Sequence, residues 1–132
     1  MKYLFVLAFA LALASCQTTK DAANVAPLEV QFDWTLQDKC NGTSPAFIVR
    51  GIPAGTASLS FRMTDLDVPS YDHGGGTVAN DGSGKVARGA FTYVGPCPPS
   101  GSHRYQFAVT ALNASGDTIL GRGTAMRVFP PK

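Results

Sequence analysis

Apolar and polar residues alternate along several short runs of this chain. A period of two is what strands with one buried face produce. The clearest early run is Leu28, Val30, Phe32 and Trp34, interleaved with Glu29, Gln31, Asp33 and Thr35. Ala46 to Val49 predicts a short strand, and Ser58 to Thr64 another, with Leu59, Phe61 and Met63 inward and Ser60, Arg62 and Thr64 outward. Ala90 to Val94 predicts a brief strand that breaks at Gly95-Pro96-Cys97-Pro98-Pro99 and turns through Gly101. Alternation then resumes, with Tyr105, Phe107, Val109 and Ala111 on one face and Arg104, Gln106, Ala108 and Thr110 on the other. Thr118 to Leu120 and Thr124 to Phe129 predict the last strands, joined through Gly121-Arg122-Gly123, with Asn113 to Asp117 as a hairpin-type connection.

Between these runs, Ser70 to Arg88 predicts a loop, with three consecutive glycines after His73. Gly82-Ser83-Gly84-Lys85 has half the look of a phosphate loop, but lacks the spaced first glycine and following helix, and predicts a turn. Asp38 to Pro45 is a turn-rich loop carrying Cys40. The chain shows no internal repeat, and little or no helix is expected beyond the leading segment. Seven or so short strands punctuated by glycine and proline predict an all-β fold, a β-sandwich.

The leading segment is of another kind. Lys2 precedes an apolar run from Tyr3 to Ala14, too short to span a bilayer and laid out as a signal peptide. The run ends Leu13-Ala14-Ser15-Cys16, similar to a bacterial lipobox, which implies cleavage before Cys16 and acylation of its thiol. Ala12-Leu13-Ala14 also fits ordinary cleavage after Ala14. Parity favours the lipoprotein: of three cysteines, a lipid on Cys16 leaves Cys40 and Cys97 as a pair that an oxidising compartment would bridge. The expected organisation is a signal peptide over residues 1–15, a lipidated tether over 16–26 and a domain over 27–132. The expected location is the bacterial envelope, lipid-anchored. Gln17 after the cysteine points, by analogy with other lipoproteins, to the outer membrane facing the periplasm.

Composition narrows the function. At 132 residues, 15% charged and 45% hydrophobic, the chain suits one globular domain. A net charge of +2 without a Lys/Arg cluster gives no reason to expect nucleic acid. The chemistry-bearing residues gather around two segments. Continuing the alternation of Ser58–Thr64 puts Asp65 and Asp67 on the apolar side, where a carboxylate needs a partner. His103 stands where a proline-stiffened loop re-enters a strand. Two acids and two histidines, Asp65, Asp67, His73 and His103, suit a zinc-like ion in donor type, but their spacing matches no metal motif, and no metal or cofactor is expected. A Cys97–His103 nucleophile pair ranks below a Cys40–Cys97 disulfide, since export favours oxidation.

Gly95-Pro96-Cys97-Pro98-Pro99 with Gly101 and His103-Arg104-Tyr105 resembles the second signature of the phosphatidylethanolamine-binding proteins, also called Raf-kinase-inhibitor-like proteins. Asp65-Leu66-Asp67-Val68-Pro69 resembles the first signature, and Ser44-Pro45 with Gly51-Ile52-Pro53-Ala54-Gly55-Thr56 precedes it in the expected order. The chain looks like a short lipoprotein variant of the bacterial type. The resemblance implies two antiparallel sheets with Greek-key connections, and both signatures meeting at a small pocket for an anionic head group such as phosphate or acetate. Carried onto this chain, the ligand-binding residues would be Asp65, Asp67, Pro69, His73, Pro98, His103 and Tyr105. In the family the first-signature histidine stands farther along, beside an aromatic; here Asp72-His73-Gly74-Gly75-Gly76 takes its place. Longer relatives carry a C-terminal helix beside the pocket with no counterpart before Lys132, which implies a shallower site and a small anion in preference to a whole phospholipid. The expected function is a non-catalytic, envelope-anchored binding module for a small anionic or phosphorylated ligand. The alternatives are an interaction lipoprotein with a degenerate pocket and, last, a metal- or cysteine-dependent hydrolase.

Overall fold

A computed structural model describes residues 18–132; the expected signal peptide and Cys16 lie outside the described residues. The elements run β1 (Lys20–Pro27), β2 (Glu29–Phe32), a 3-10 turn at Leu36–Asp38, β3 (Phe47–Arg50), β4 (Ser58–Asp65), β5 (Asp72–Ala79), β6 (Lys85–Val86), β7 (His103–Leu112) and β8 (Thr118–Phe129). Five strands form one sheet in the order β1-β8-β7-β4-β5, and three form a second in the order β2-β3-β6. The described residues are thus nearly all β, in two sheets. The larger sheet is mixed rather than purely antiparallel, because β1 runs parallel to β8.

Strict alternation decides the centre. Tyr105, Phe107, Val109 and Ala111 on β7 are all at most 1% exposed, and β7 is the middle strand of the larger sheet. They join Leu59, Phe61 and Met63 of β4 and Val30, Phe32, Phe47 and Val49 of the smaller sheet in one core cluster. Phe107 touches both sides of it, its ring centroid 5.1 Å from Phe32 and 4.9 Å from Phe47, both edge to face. Burying each such ring contributes roughly 3 kcal/mol of transfer free energy, and the edge-to-face geometry adds to it.

Four stretches differ from the sequence expectation. Lys20–Pro27, expected within a tether, is a strand: its backbone pairs with β8, and Asp21 takes a bidentate pair from Arg122. Backbone pairing at a sheet edge needs no large apolar side chains, so composition did not reveal it. Residues 70–88, expected as a loop, contain β5 and β6. The triple glycine is there for close approach: a Cβ on Gly75 would overlap the Phe61 carbonyl, and one on Gly76 would strike the Phe91 ring. The last two expected strands are one, because Gly121 and Gly123 let Leu28 cross directly against β8. Ala90 to Val94, expected as a strand, is irregular, with a single bridge from Thr92 to Thr43.

Below the smaller sheet, Asp38 is fully buried. Its Oδ2 accepts the Thr35 N–H at 2.7 Å and the Thr35 hydroxyl at 2.9 Å, closing the 3-10 turn. Arg88 Nη2 lies 2.7 Å from Oδ1 and supplies the countercharge. This turn leads into Cys40, which adopts a left-handed φ of 53° and is bonded to Cys97 with a Cα separation of 4.6 Å. The Cys40 N–H also donates to the Pro96 carbonyl at 2.8 Å. The expected pair is therefore joined, and it fastens the proline loop to the 3-10 turn.

Candidate functional site

The C-terminal end of β4 and the start of β7 lie side by side, with Asp65 in register with Tyr105. The alternation that buries Met63 also buries Asp65, which is 4% exposed. Both carboxylate oxygens have partners. Oδ1 accepts the N–H groups of Asp67 at 2.8 Å and Val68 at 3.1 Å. Oδ2 lies 2.7 Å from His103 Nδ1. Burial works to raise the Asp65 pKa, but the His103 and backbone bonds outweigh it and hold the carboxyl below its ordinary value.

His73, near the start of β5, is 4% exposed, and its Nδ1 donates to the Val94 carbonyl at 2.6 Å. Val94 returns a bond from its N–H to the His73 carbonyl at 2.8 Å, so the chain before the prolines is clipped to β5. Both imidazoles thus face acceptors through Nδ1, which must carry the proton. Neither Nε2 has a hydrogen-bond partner among the described residues. Both histidines line a cavity of about 440 Å³ together with Asp65, Tyr105, Pro98 and Cys97. Tyr105 forms part of its inner wall, its pKa pushed up to about 12 by burial and by the Asp65 charge.

Five of the seven expected ligand-binding residues therefore meet at one hollow: Asp65, His73, Pro98, His103 and Tyr105. Asp67 and Pro69 do not line it. Asp67 turns outward and accepts the Arg104 N–H at 2.7 Å and its Nη2 at 2.8 Å, which holds the carboxyl down to about 2. It ties the β4–β5 loop to the start of β7, so it positions His103 without facing the cavity. Pro69 is exposed on the same loop. With Asp67 turned away, no group of three or more acid, histidine or cysteine side chains is placed to hold a metal ion among the described residues. Cys97 contributes to the wall with its sulfur committed to Cys40, which closes the Cys97–His103 nucleophile reading in this state.

Sequence reasoning missed the apolar half of the wall. Val68, Tyr71, Val94 and Pro99 line the cavity too. Val68, Tyr71 and Val94 are 41%, 53% and 46% exposed, three of the seven large apolar residues left open among the described residues. Tyr71 also supplies the aromatic expected to be lacking beside His73: their ring centroids are 4.7 Å apart. Its signal was present, since Tyr71 and His73 are two positions apart, but a stretch read as loop has no faces to share.

Comparison with known proteins supports the fold. The phosphatidylethanolamine-binding protein family model matches residues 74–128, from β5 through the His103 loop to the end of β8. No curated protein matches the sequence. Among solved structures, a phosphatidylethanolamine-binding protein homolog, CT736 of Chlamydia trachomatis, superposes with a TM-score of 0.62 at 21% identity, over 83% of this chain and 100% of that one. YbcL of E. coli, described as a new member of the mammalian family of these proteins, superposes with a TM-score of 0.59 at 20% identity, over 80% and 99%. These two share the fold. The family match covers the segment that holds the second signature, His103–Tyr105 included, and supports the phosphatidylethanolamine-binding protein family.

Proposed function

We propose that this protein is an envelope-anchored, non-catalytic binding module for a small anionic or phosphorylated ligand, held in the Asp65–His73–His103 hollow. In this reading its two sheets are the halves of the family's Greek-key sandwich, and a lipid on Cys16 holds it at the bacterial envelope, facing the periplasm. The observation that carries the proposal is the pair of histidines whose Nδ1 atoms are bonded and whose Nε2 atoms have no partner among the described residues, at one cavity. As imidazolium, each presents an N–H to an anion oxygen. Asp65, bonded to His103 Nδ1, fixes that ring's orientation and leaves its Nε2 facing the cavity. The open apolar rim of Val68, Tyr71 and Val94 would receive a carbon substituent on the ligand. Titrating the protein with inorganic phosphate and phenyl phosphate while following the histidine ring protons by NMR tests this. Shifts at His103 and His73 are expected; no shift with either ligand would reject the pocket.

The same exposed rim favours one second reading, an interaction module that docks a protein partner at this end. Partners retained by a His103→Ala, Asp65→Asn double variant would favour that reading over the first.

A further inference from the structure

We infer that the Cys40–Cys97 bridge is a redox switch on the proposed anion site: a dithiol opens it, loosens the proline wall of the cavity and releases the ligand, and reoxidation restores binding. The inference rests on that site and adds what controls it. Cys97 lines the cavity together with Pro98 and Pro99, so the bridge ends in the wall itself. Both cysteines are exposed, which gives an external thiolate access to the sulfurs. Little else holds the wall. Ahead of Cys97, the Tyr93 N–H donates to the Gly42 carbonyl at 3.0 Å and the Cys40 N–H to the Pro96 carbonyl at 2.8 Å. Beyond it, residues 98–102 make no backbone–backbone hydrogen bond among the described residues. Pro98 and Pro99 have no N–H to give, and Ser100, Gly101 and Ser102 are exposed. Order resumes at His103, which pairs with Phe129 and bonds Asp65 at 2.7 Å. The stretch is thus fixed at one end by β7 and at the other by the bridge. Cys40 holds a left-handed φ of 53°, a conformation a non-glycine residue leaves readily once released.

Opening the bridge is an exchange with a dithiol. One of its thiolates attacks an exposed Sγ, the S–S bond breaks, a mixed disulfide forms, and the other cysteine leaves as a thiolate and takes a proton. The second thiolate of the dithiol then attacks the mixed disulfide and expels the remaining cysteine. Two electrons and two protons pass to the protein, and the dithiol becomes a disulfide. The contacts that place Asp65, His73 and His103 do not involve either sulfur: His73 stays bonded to Val94, and His103 to Asp65. What loosens is the wall over residues 97–102. With that wall in place about a tenth of the time, the apparent dissociation constant for an anion rises about 10-fold.

The test takes the full chain oxidised, then reduced with dithiothreitol in the absence of denaturant, then reoxidised with glutathione disulfide. Thiol titration follows the bridge, and equilibrium dialysis gives the dissociation constant for phenyl phosphate. A rise of about 10-fold on reduction, returning to within about twofold on reoxidation, is expected. A Cys40→Ser, Cys97→Ser variant should bind as the reduced protein does and ignore dithiothreitol. A bridge that yields to dithiothreitol only after unfolding would overturn the switch, as would equal affinity in the two states. NMR makes the decision independent of the ligand. Reduction should lower the backbone order parameters of Ser100, Gly101 and Ser102 below about 0.6 and leave the amide of Val109, within β7, protected from hydrogen exchange. Loss of protection at Val109 would make the bridge a support of the whole sheet and overturn the switch. An oxidised protein that binds no phenyl phosphate would refute the anion site; loosening confined to positions 100–102 would still uphold redox control of the wall, and unchanged order parameters would overturn it.

Discussion

His103 Nδ1 and Asp65 Oδ2 lie 2.7 Å apart although the residues are 38 positions apart in the chain. Neither partner is free to move: His103 is in register with Phe129 on β8, and Asp65 holds two backbone N–H groups with its other oxygen. The pair is thus a fixed orienting contact at the cavity wall. Replacing Asp65 by Asn keeps the shape but removes the charged acceptor that orients the His103 ring. Phosphate affinity should fall about 10- to 100-fold, the size of a lost charge-assisted bond. Isothermal titration of wild type and Asp65→Asn measures it, and unchanged affinity would remove Asp65 from the binding machinery.

Asp67 predicts a pH effect distinct from binding. Its folded-state value of about 2 lies below the ordinary 3.8, chiefly because of the Arg104 bond. A depressed carboxylate stabilises the fold above its unfolded value, and that contribution is lost as pH falls through the folded one. Stability should therefore decline between about pH 4 and 2, and Asp67→Asn should flatten part of that decline. Urea unfolding at stepped pH reads the difference in slope.

Glycine at position 76 is a packing requirement. A Cβ there would meet the Phe91 ring, which is locked against Phe61 at 5.1 Å. Gly76→Ala should cost about 1–3 kcal/mol through overpacking, whereas Thr77→Ala, on an exposed neighbour, should change stability by about 0.5 kcal/mol or less. Equal effects of the two substitutions in thermal or chemical unfolding would show that the close approach is not felt.

The Cys40–Cys97 bridge spans 57 positions. In the chain-entropy view such a bridge contributes up to about 4 kcal/mol. A double serine variant should lose much of this in urea unfolding. It should also bind phosphate less tightly, because the bridge fastens the wall that includes Pro98 and Pro99. Thiol titration of native protein should find neither cysteine free.

Arg88 is the countercharge of a carboxylate with no solvent access. Removing it strands Asp38, so Arg88→Met should cost about 3–5 kcal/mol, and an Asp38→Asn, Arg88→Met double variant should recover part of it. A neutral single substitution would show that the two Thr35 bonds suffice.

What the sequence revealed depended on which physical signal each segment carried. β4 and β7 have both alternation and large apolar residues, so their faces could be read directly, Asp65 included. β1 has neither, because an edge strand is held by backbone bonds and an ion pair between residues 101 apart. β5 hid behind its glycines: the freedom that suggested a loop is instead the absence of a Cβ where Phe61 and Phe91 press close. At the site, the signatures brought five residues to the hollow. The same signatures misplaced Asp67, whose direction depends on a contact with Arg104 that lies 37 positions away. The apolar rim carried no motif at all.

Gly121 and Gly123 leave β8 without side chains where Leu28 crosses it, and β1 lies along the same margin. β1 is thereby a seal on that edge. Severed before Leu28, the domain would offer the Thr118–Arg122 edge of β8, which β1 now covers, to any extended peptide, including its own kind. Loss of β1 would thus leave an unpaired strand edge prone to cross-strand self-assembly.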